Sequence, residues 1–300
     1  MKKREPLLLC AIEYLGFRLL MALYGCIPAR KAYDWGAGLS SRLYPLFRRR
    51  RKIAVSNILR TGVAQTREEA DRIARKAFGH FVGHLCEAVK VPQVVKPDNW
   101  RECLEFEGAE ETRRLLFDSP ESPVIILSGH HGVWEAAATV LSYAKPIIAV
   151  ARDMNNPYIN GYLKKHHFRG GITVISKKQG FTPRIMEEWR RNGAALTLIM
   201  DQRAGRKQGI RVPFMGIPSS THTSPARLHL KTGVPLLIGS FIRVAPFRYK
   251  IYTGTPLRFK PTGDRKADFT EILTEVNRRL EENIRRNPEQ YLWAHNRWKE

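Results

Sequence analysis

Acidic residues are scarce in this chain. Its 300 residues carry 28 Asp and Glu against 51 Lys and Arg, a formal net charge of +23. Such a field attracts polyanions, either nucleic acid or an anionic membrane surface, and does not choose between them. Cysteine is scarce as well. Cys10, Cys26, Cys86 and Cys103 lie far apart and form no CxxC pair. That argues against a disulfide framework and a zinc ribbon, and is compatible with a reducing compartment. Zinc-finger, homeodomain, KH and RNP patterns are missing, which weakens the nucleic-acid reading. Repeats, low-complexity tracts and an interdomain linker are missing too. With 43% hydrophobic residues the chain can bury a substantial core. One domain over 29–300 is expected, preceded by an N-terminal segment over 1–28.

That segment, MKKREPLLLCAIEYLGFRLLMALYGCIP, has a basic start and an apolar stretch but no convincing small-x-small cleavage site. Leu7 to Ile27 is long enough to span a bilayer, yet Glu13 and Arg18 interrupt it. A membrane anchor that is tilted or lies in the interface is expected, with Lys2, Lys3, Arg4, Arg30 and Lys31 at its ends. A buried core helix is the alternative. Farther on, Thr66 and Glu69 form a capping box, and Ile73, Ala77, Phe81 and Leu85 repeat at helical spacing up to a stop at Pro92. The Arg48–Lys52 run reads as a patch facing anionic lipid.

The middle of the chain alternates. PVIILS, PIIAVAR, ITVIS and AALTLIMD are short, apolar and β-branched, and helical stretches separate them. This pattern predicts an α/β fold with a largely parallel buried sheet. PLLIGSFIRV and RYKIYTGT, joined by a turn containing Pro246, predict an antiparallel pair, so the sheet is mixed. Reactive groups in such sheets collect at the carboxyl ends of strands. His130, Arg152 and Asp201 each follow one of these strands.

The stretch ILSGHHGVWEAAA carries the chemistry. His130 and Glu135 are spaced so that a loop imidazole can meet a carboxylate in the first helical turn, which would fix the tautomer and leave a general base. His131, four residues before Glu135, is not excluded by spacing. A lone H-x4-E is as often a helix-start histidine satisfied by local hydrogen bonds. No G-x-S-x-G elbow accompanies the pair, so the nucleophile belongs to the substrate. No third ligand or HExxH spacing supports a metal. Asp201 either orients His130, contacts the acceptor or caps a turn.

SGHHGVWEAAA, ARDMNNPYINGYLKKHHFRGGITVI, LIMDQRAGRKQGIRVPFMGIPSSTHTSPARLHLKTGVPLL and NPEQYLWAHNRWK occur in this order. Together they resemble the bacterial lipid A biosynthesis acyltransferases, the late lauroyl- and myristoyl-transferring type of the lysophospholipid acyltransferase superfamily. The resemblance covers nearly the whole chain. It implies a glycerol-phosphate-acyltransferase-like fold, His130 as general base and Glu135 as its acidic partner. It also implies an acyl carrier protein or acyl-CoA donor, a lipid acceptor at the cytoplasmic face of the inner membrane, and no cofactor. Where the family commonly has Phe or Ala then Gly-Asn-Trp after the histidine, this chain has His131-Gly132-Val133-Trp134. Arg152, Asn156, Arg169, Gln202, Arg203 and Arg227 are the expected substrate contacts, with a phosphorylated headgroup suited to the arginine fork. Trp293, His295 and Trp298 are expected to pack beneath the site. Other lipid acceptors, such as a glycophospholipid, an ornithine lipid or a lysophospholipid, would use the same residues.

Overall fold

The computed structural model describes residues 6–151, 153–166, 170–176, 182–205 and 208–299, with backbone alone at 164–166. Arg152, Arg169, Arg206, Lys207 and the basic residues before position 6 lie outside the described residues.

Four helices come first: α1 (Leu7–Gly25), α2 (Ala32–Leu43), α3 (Arg48–Arg60) and α4 (Arg67–Val94). Thr66 caps α4, its hydroxyl accepting from the Glu69 N–H at 3.2 Å, while Glu69 accepts from Gln65 N. The expected stop at Pro92 is corrected, because α4 runs on to Val94. Proline fits helical φ, and its cost is the lost hydrogen bond and the crowding of the carbonyl four residues earlier. That loss is small within a few residues of the helix end, where the Val95 N–H still reaches Val91 O at 2.8 Å.

The α/β body follows. In chain order it comprises β1 (Leu104–Glu107), α5 (Glu110–Phe117), β2 (Val124–Ser128), α6 (Trp134–Leu141), β3 (Ile147–Ala151), α7 (Pro157–His166) and β4 (Ile172–Ser176). Next come α8 (Pro183–Arg191), β5 (Ala195–Ile199), β6 (Gly209–Phe214), β7 (Ile217–His222) and α9 (Ser224–Thr232). The chain closes with β8 (Leu236–Ala245), β9 (Arg248–Thr253) and α10 (Arg265–Arg286). Seven strands form one sheet in the order β1-β9-β8-β2-β5-β3-β4. β8, β2, β5, β3 and β4 are mutually parallel, while β9 runs against β8 and carries β1 parallel to itself. The mixed, mostly parallel sheet is therefore as the alternation predicts. β1 and the separate β6–β7 hairpin are additions that the apolar pattern did not mark.

One sheet face is filled by large aliphatics: Ile125, Leu127, Leu196 and Ile238 join α4, α9 and α10 in the main core. Burial of each such side chain stabilises by roughly 1.5–3 kcal/mol. The opposite face is built differently. Ala149, Thr197, Ser128 and Gly239 are small where it passes beneath α6, and they leave space.

α1 is the one helix among the described residues long and apolar enough to cross a membrane. It does not stand free of the body. Cys10, Tyr14, Phe17, Met21 and Tyr24, at three- and four-residue spacing, turn inward. Leu8, Ile12, Leu15, Leu19 and Leu23 are exposed on the other side. Asn156 donates to Cys10 O at 2.8 Å and to Glu13 Oε2 at 2.9 Å. At the other end, Lys90 Nζ donates to Gly25 O at 3.0 Å, and the Tyr24 hydroxyl donates to Cys86 O. Arg18 stacks over the Tyr162 ring of α7 at 5.2 Å. Both charges that interrupt the apolar run are thus engaged by the body.

Candidate active site

β2 and β5 are neighbours in parallel register, with Ser128 opposite Ile199. Two residues beyond each lie His130 and Asp201, so the pairing that builds the sheet also sets these side chains together. His130 Nδ1 stands 2.8 Å from Asp201 Oδ1, and the His130 backbone N–H donates to Asp201 Oδ2 at 3.0 Å. One carboxylate grips both the ring and its loop. Because the carboxylate only accepts, Nδ1 carries the proton and Nε2 keeps its lone pair. Gln202 Nε2 lies 3.3 Å from that lone pair, and the Trp134 ring stands edge-on at 5.0 Å.

The electrostatics follow from this pairing. Burial alone would lower the His130 pKa, but the charge and hydrogen bond of Asp201, helped by Glu135, raise it above the ordinary histidine value. Burial pushes the Asp201 carboxyl up, and the interaction with His130 and the nearby Arg297 bring it below its ordinary value. The sequence reading gave Glu135 the place at Nδ1. Asp201 occupies it, because the β5 register delivers a buried carboxylate there, whereas Glu135 sits in the first turn of α6. Glu135 instead lines the same cavity as His130 and adds negative charge.

His131 points the other way. It is buried, with Nε2–H donating to Asn287 O at 3.1 Å and Nδ1 accepting from the Ser240 hydroxyl at 2.9 Å. Burial drives its pKa down to about 4. Of the two histidines, His130 lines the cavity and His131 does not. The loop that carries them needs Gly132, whose φ is +71° and whose hypothetical Cβ would lie 2.0 Å from Phe241 O. That close approach lets the Val133 N–H donate to Phe241 O at 2.7 Å and the Gly132 N–H to Gln290 O at 2.9 Å.

The cavity beneath α6 measures 390 Å³, within the ~300–1,000 Å³ usual for ligand sites. Ala137, Ala138 and Leu141 of α6 face Ile126, Thr197 and Leu237 of the sheet across it. Its walls are mostly apolar, and His130, Glu135 and Gln202 are among the polar groups that line it. This arrangement can hold a hydrocarbon chain with its reactive end at the imidazole.

The remaining expected contacts divide. Gln202 is at the site. Asn156 is corrected from a substrate contact to a structural clamp: besides holding α1, its Oδ1 accepts from the Tyr158 N–H at 3.0 Å and Ile159 N–H at 3.2 Å, capping α7. Arg203 donates to Lys299 O at 2.7 Å and tethers the C-terminus. Arg227 is exposed on α9 and lines a separate depression with Lys231 and Arg265, away from His130. Arg152 and Arg169 lie outside the described residues. Among the described residues, no group of three His, Cys, Asp or Glu side chains is placed to hold a metal ion.

Trp293 and Trp298 pack as expected, donating to Pro288 O at 2.7 Å and Phe214 O at 3.0 Å. Arg297 was missed. It is 1% exposed and donates to Gln202 O at 2.8 Å, Ser220 O at 2.5 Å and Thr221 Oγ1 at 2.7 Å. It fixes the backbone of Gln202, next to Asp201, and its charge favours the ionised carboxylate. Basic residues are so common in this chain that nothing in the sequence marks this one as buried. Asn57 of the RKIAVSNIL segment donates to Trp293 O at 2.8 Å and His295 O at 2.9 Å, joining two motif segments distant in sequence.

Comparison with known proteins agrees with this architecture. The family model for bacterial lipid A biosynthesis acyltransferase matches residues 1–300. The lipid A biosynthesis palmitoleoyltransferase of Escherichia coli (strain K12) is 22% identical over 268 residues, covering 88% of this chain and 83% of that protein. A lipid A biosynthesis acyltransferase of Shigella flexneri matches to the same extent. Another, from Haemophilus influenzae, is 24% identical over 191 residues, or 63% of this chain and 60% of that one. With the family model matching from the apolar α1 to the closing tryptophans, the chain belongs to the bacterial lipid A biosynthesis acyltransferase family and is an acyltransferase.

Proposed function

We propose that the protein moves a fatty acyl chain from an acyl thioester to a hydroxyl of a lipid A precursor, with His130 as general base. The observation that carries this reading is the pairing of His130 Nδ1 with buried Asp201, on an imidazole that lines a mostly apolar cavity. The donor chain lies beneath α6 with its carbonyl beside His130. Nε2 takes the proton of the acceptor hydroxyl as its oxygen attacks that carbonyl. The first turn of α6 has no side-chain cap. Backbone amides of that turn would hold the tetrahedral oxyanion. Collapse breaks the C–S bond, and the imidazolium returns its proton to the departing thiolate. Asp201 and Glu135 stabilise the imidazolium between these steps. The route needs no metal and no acyl-enzyme.

Acyl carrier protein or acyl-CoA supplies the thioester in this reading. The enzyme works at the cytoplasmic face of the inner membrane. The docking of α1 at both ends, along about 28 Å of helix, favours an interfacial helix over a span. Its exposed leucines would enter the lipid while the +23 charge meets anionic headgroups. Arg152 and Arg169, suggested by the family resemblance, would contact acceptor phosphate. Arg152→Ala should then raise KM more for a phosphorylated acceptor than for its dephosphorylated counterpart, with equal penalties removing that role.

The test is mass spectrometry of products after incubating purified enzyme with acyl thioesters and a panel of acceptors. A new ester on a lipid A precursor is expected. Acylation of an ornithine lipid or lysophospholipid with none on the precursor would transfer the chemistry to a different acceptor.

A further inference from the structure

A second apolar groove, separate from the cavity beneath α6, has Leu292 in its lining, a residue bonded to the His130 backbone. It measures 460 Å³ and runs between α3, α4 and the C-terminal segment. Ala54 of α3 and Ala74 and Ala77 of α4 line it with short side chains, where larger residues would fill the space. Phe78, Phe81 and Leu292 supply much of its wall. The groove reaches the candidate site by two routes. The Leu292 N–H donates to His130 O at 3.0 Å. The Phe81 ring is 6.1 Å from Trp134, whose ring is 5.0 Å from His130.

The mouth has a distinct chemistry. Phe47 and Arg50 line it, and the Arg50 guanidinium is fixed over the rim by donating to Ala294 O at 3.0 Å. Asp71 of α4 pairs with Arg51 at 2.7 Å and accepts from the Tyr44 hydroxyl, while Arg48, Arg49, Arg50 and Lys52 are exposed in the first turns of α3, which carry no acidic residue of their own. Cations at a helix N-terminus oppose its dipole and cost stability. An anionic group outside the helix would offset that cost. Trp35, Leu39, Leu43, Leu46 and Phe47 are exposed on the chain leading to this mouth, between 38% and 74%. An apolar approach, a cationic rim and an apolar interior match an amphiphile with a phosphate headgroup.

Resting on the acyltransferase reading above, we propose that this groove binds a hydrocarbon chain already attached to the phosphorylated acceptor lipid, with Arg50 and its neighbours at the phosphate. The donor chain beneath α6 and the acceptor chain between α3 and α4 then approach one imidazole from two sides. The acceptor is selected for a chain and an anionic head together, and it enters from the lipid surface past Phe47.

Photocrosslinking of the full chain tests this. The probes are a dodecyl phosphate with a diazirine on its tail and a non-cleavable acyl-pantetheine thioether carrying the same group. Peptide mapping should place the alkyl phosphate at Phe78–Val82 and Leu292, and the thioether at Ala137–Leu141, with neither displacing the other. Val82 is half-buried at the groove wall. Val82→Trp should cut alkyl phosphate labelling about tenfold by removing apolar burial worth a few methylenes, while leaving thioether labelling unchanged. Arg50→Glu should weaken labelling by the phosphate but not by diazirine-bearing dodecanol, and this variant with the wild-type map decides the matter if Val82→Trp fails to fold. Alkyl phosphate found only beneath α6, or displaced from the groove by the thioether, overturns the proposal. Loss of thioether labelling beneath α6 with groove labelling intact would instead remove the donor-site reading.

Discussion

His130 and Asp201 are joined twice, by ring and by backbone, with Nδ1 2.8 Å from Oδ1 and N 3.0 Å from Oδ2. The carboxylate raises the His130 pKa, so a base that must be neutral gains activity as pH rises through that raised value. Asp201→Asn removes the charge and can offer its N–H to Nδ1, reversing the tautomer. A fall in kcat of roughly 10²–10⁴ is expected, with the acidic limb of the pH–rate profile moved to lower pH. A pH profile of Asp201→Asn that overlays the wild type would show that this carboxylate does not tune the base.

Gly132→Ala places a Cβ against Phe241 O in a backbone conformation with positive φ. The loop must shift and lose its bonds to β8 and Gln290. Destabilisation of roughly 1–3 kcal/mol is expected from strain of this kind, read as a lower denaturation midpoint together with lost activity. An unchanged midpoint would mean that the loop relaxes freely.

His80 and His131 are both buried neutral, with pKa values driven by burial down to about 4 from 6.5. Between those two values the unfolded chain binds more protons, so stability rises with pH up to about 6.5. It is lost as pH falls from 6.5 towards 4, by up to about 3 kcal/mol for each histidine. Urea denaturation from pH 4.5 to 7 measures this, and His80→Gln should flatten the slope. A slope unaltered by that substitution would place the acid sensitivity elsewhere.

Ala138 faces the sheet across the cavity beneath α6. Ala138→Phe should shorten the preferred acyl chain in competition among thioesters of graded length. An unchanged preference would move the donor chain out of this cavity.

The strands were legible because buried parallel strands are apolar on both faces, and β2, β3, β4 and β5 fall where VIILS, IIAVA, ITVIS and ALTLI stand. β1, LEFE, alternates half-buried with exposed residues at the sheet edge and carries too few apolar residues to be recognised. The site was legible in its positions, and its pairing only as one of three readings open for Asp201. Strand ends announced His130 and Asp201, while register, which spacing along the chain does not encode, decided that they meet. Asn156 stood in a motif shared with the family, yet its side chain holds Cys10 O and Glu13. That contact joins residues whose proximity depends on where α1 docks, and no local pattern predicts it. The burial of Arg297 likewise depends on the C-terminal segment folding back over β7.

Asn156→Ala removes the clamp between α1 and α7. Protease should then cut more readily between α1 and α2, and binding to anionic vesicles should change because α1 is no longer presented in a fixed orientation. Turnover of detergent-dispersed substrate should fall less than turnover on vesicles. Equal losses on both would assign α1 to the catalytic body rather than to the lipid surface.

The central claim is that His130 is the base and His131 is part of the scaffold. Single-turnover acyl transfer from a thioester to a lipid A precursor, followed by mass spectrometry, compares wild type, His130→Ala and His131→Ala, with thermal melting measured on each. His130→Ala should lose roughly 10²–10⁴-fold in rate with its melting temperature kept. His131→Ala should retain most of the rate per folded molecule but melt lower, because Ser240 and Asn287 O lose their partner. An active His130→Ala beside a folded but inert His131→Ala would contradict the account.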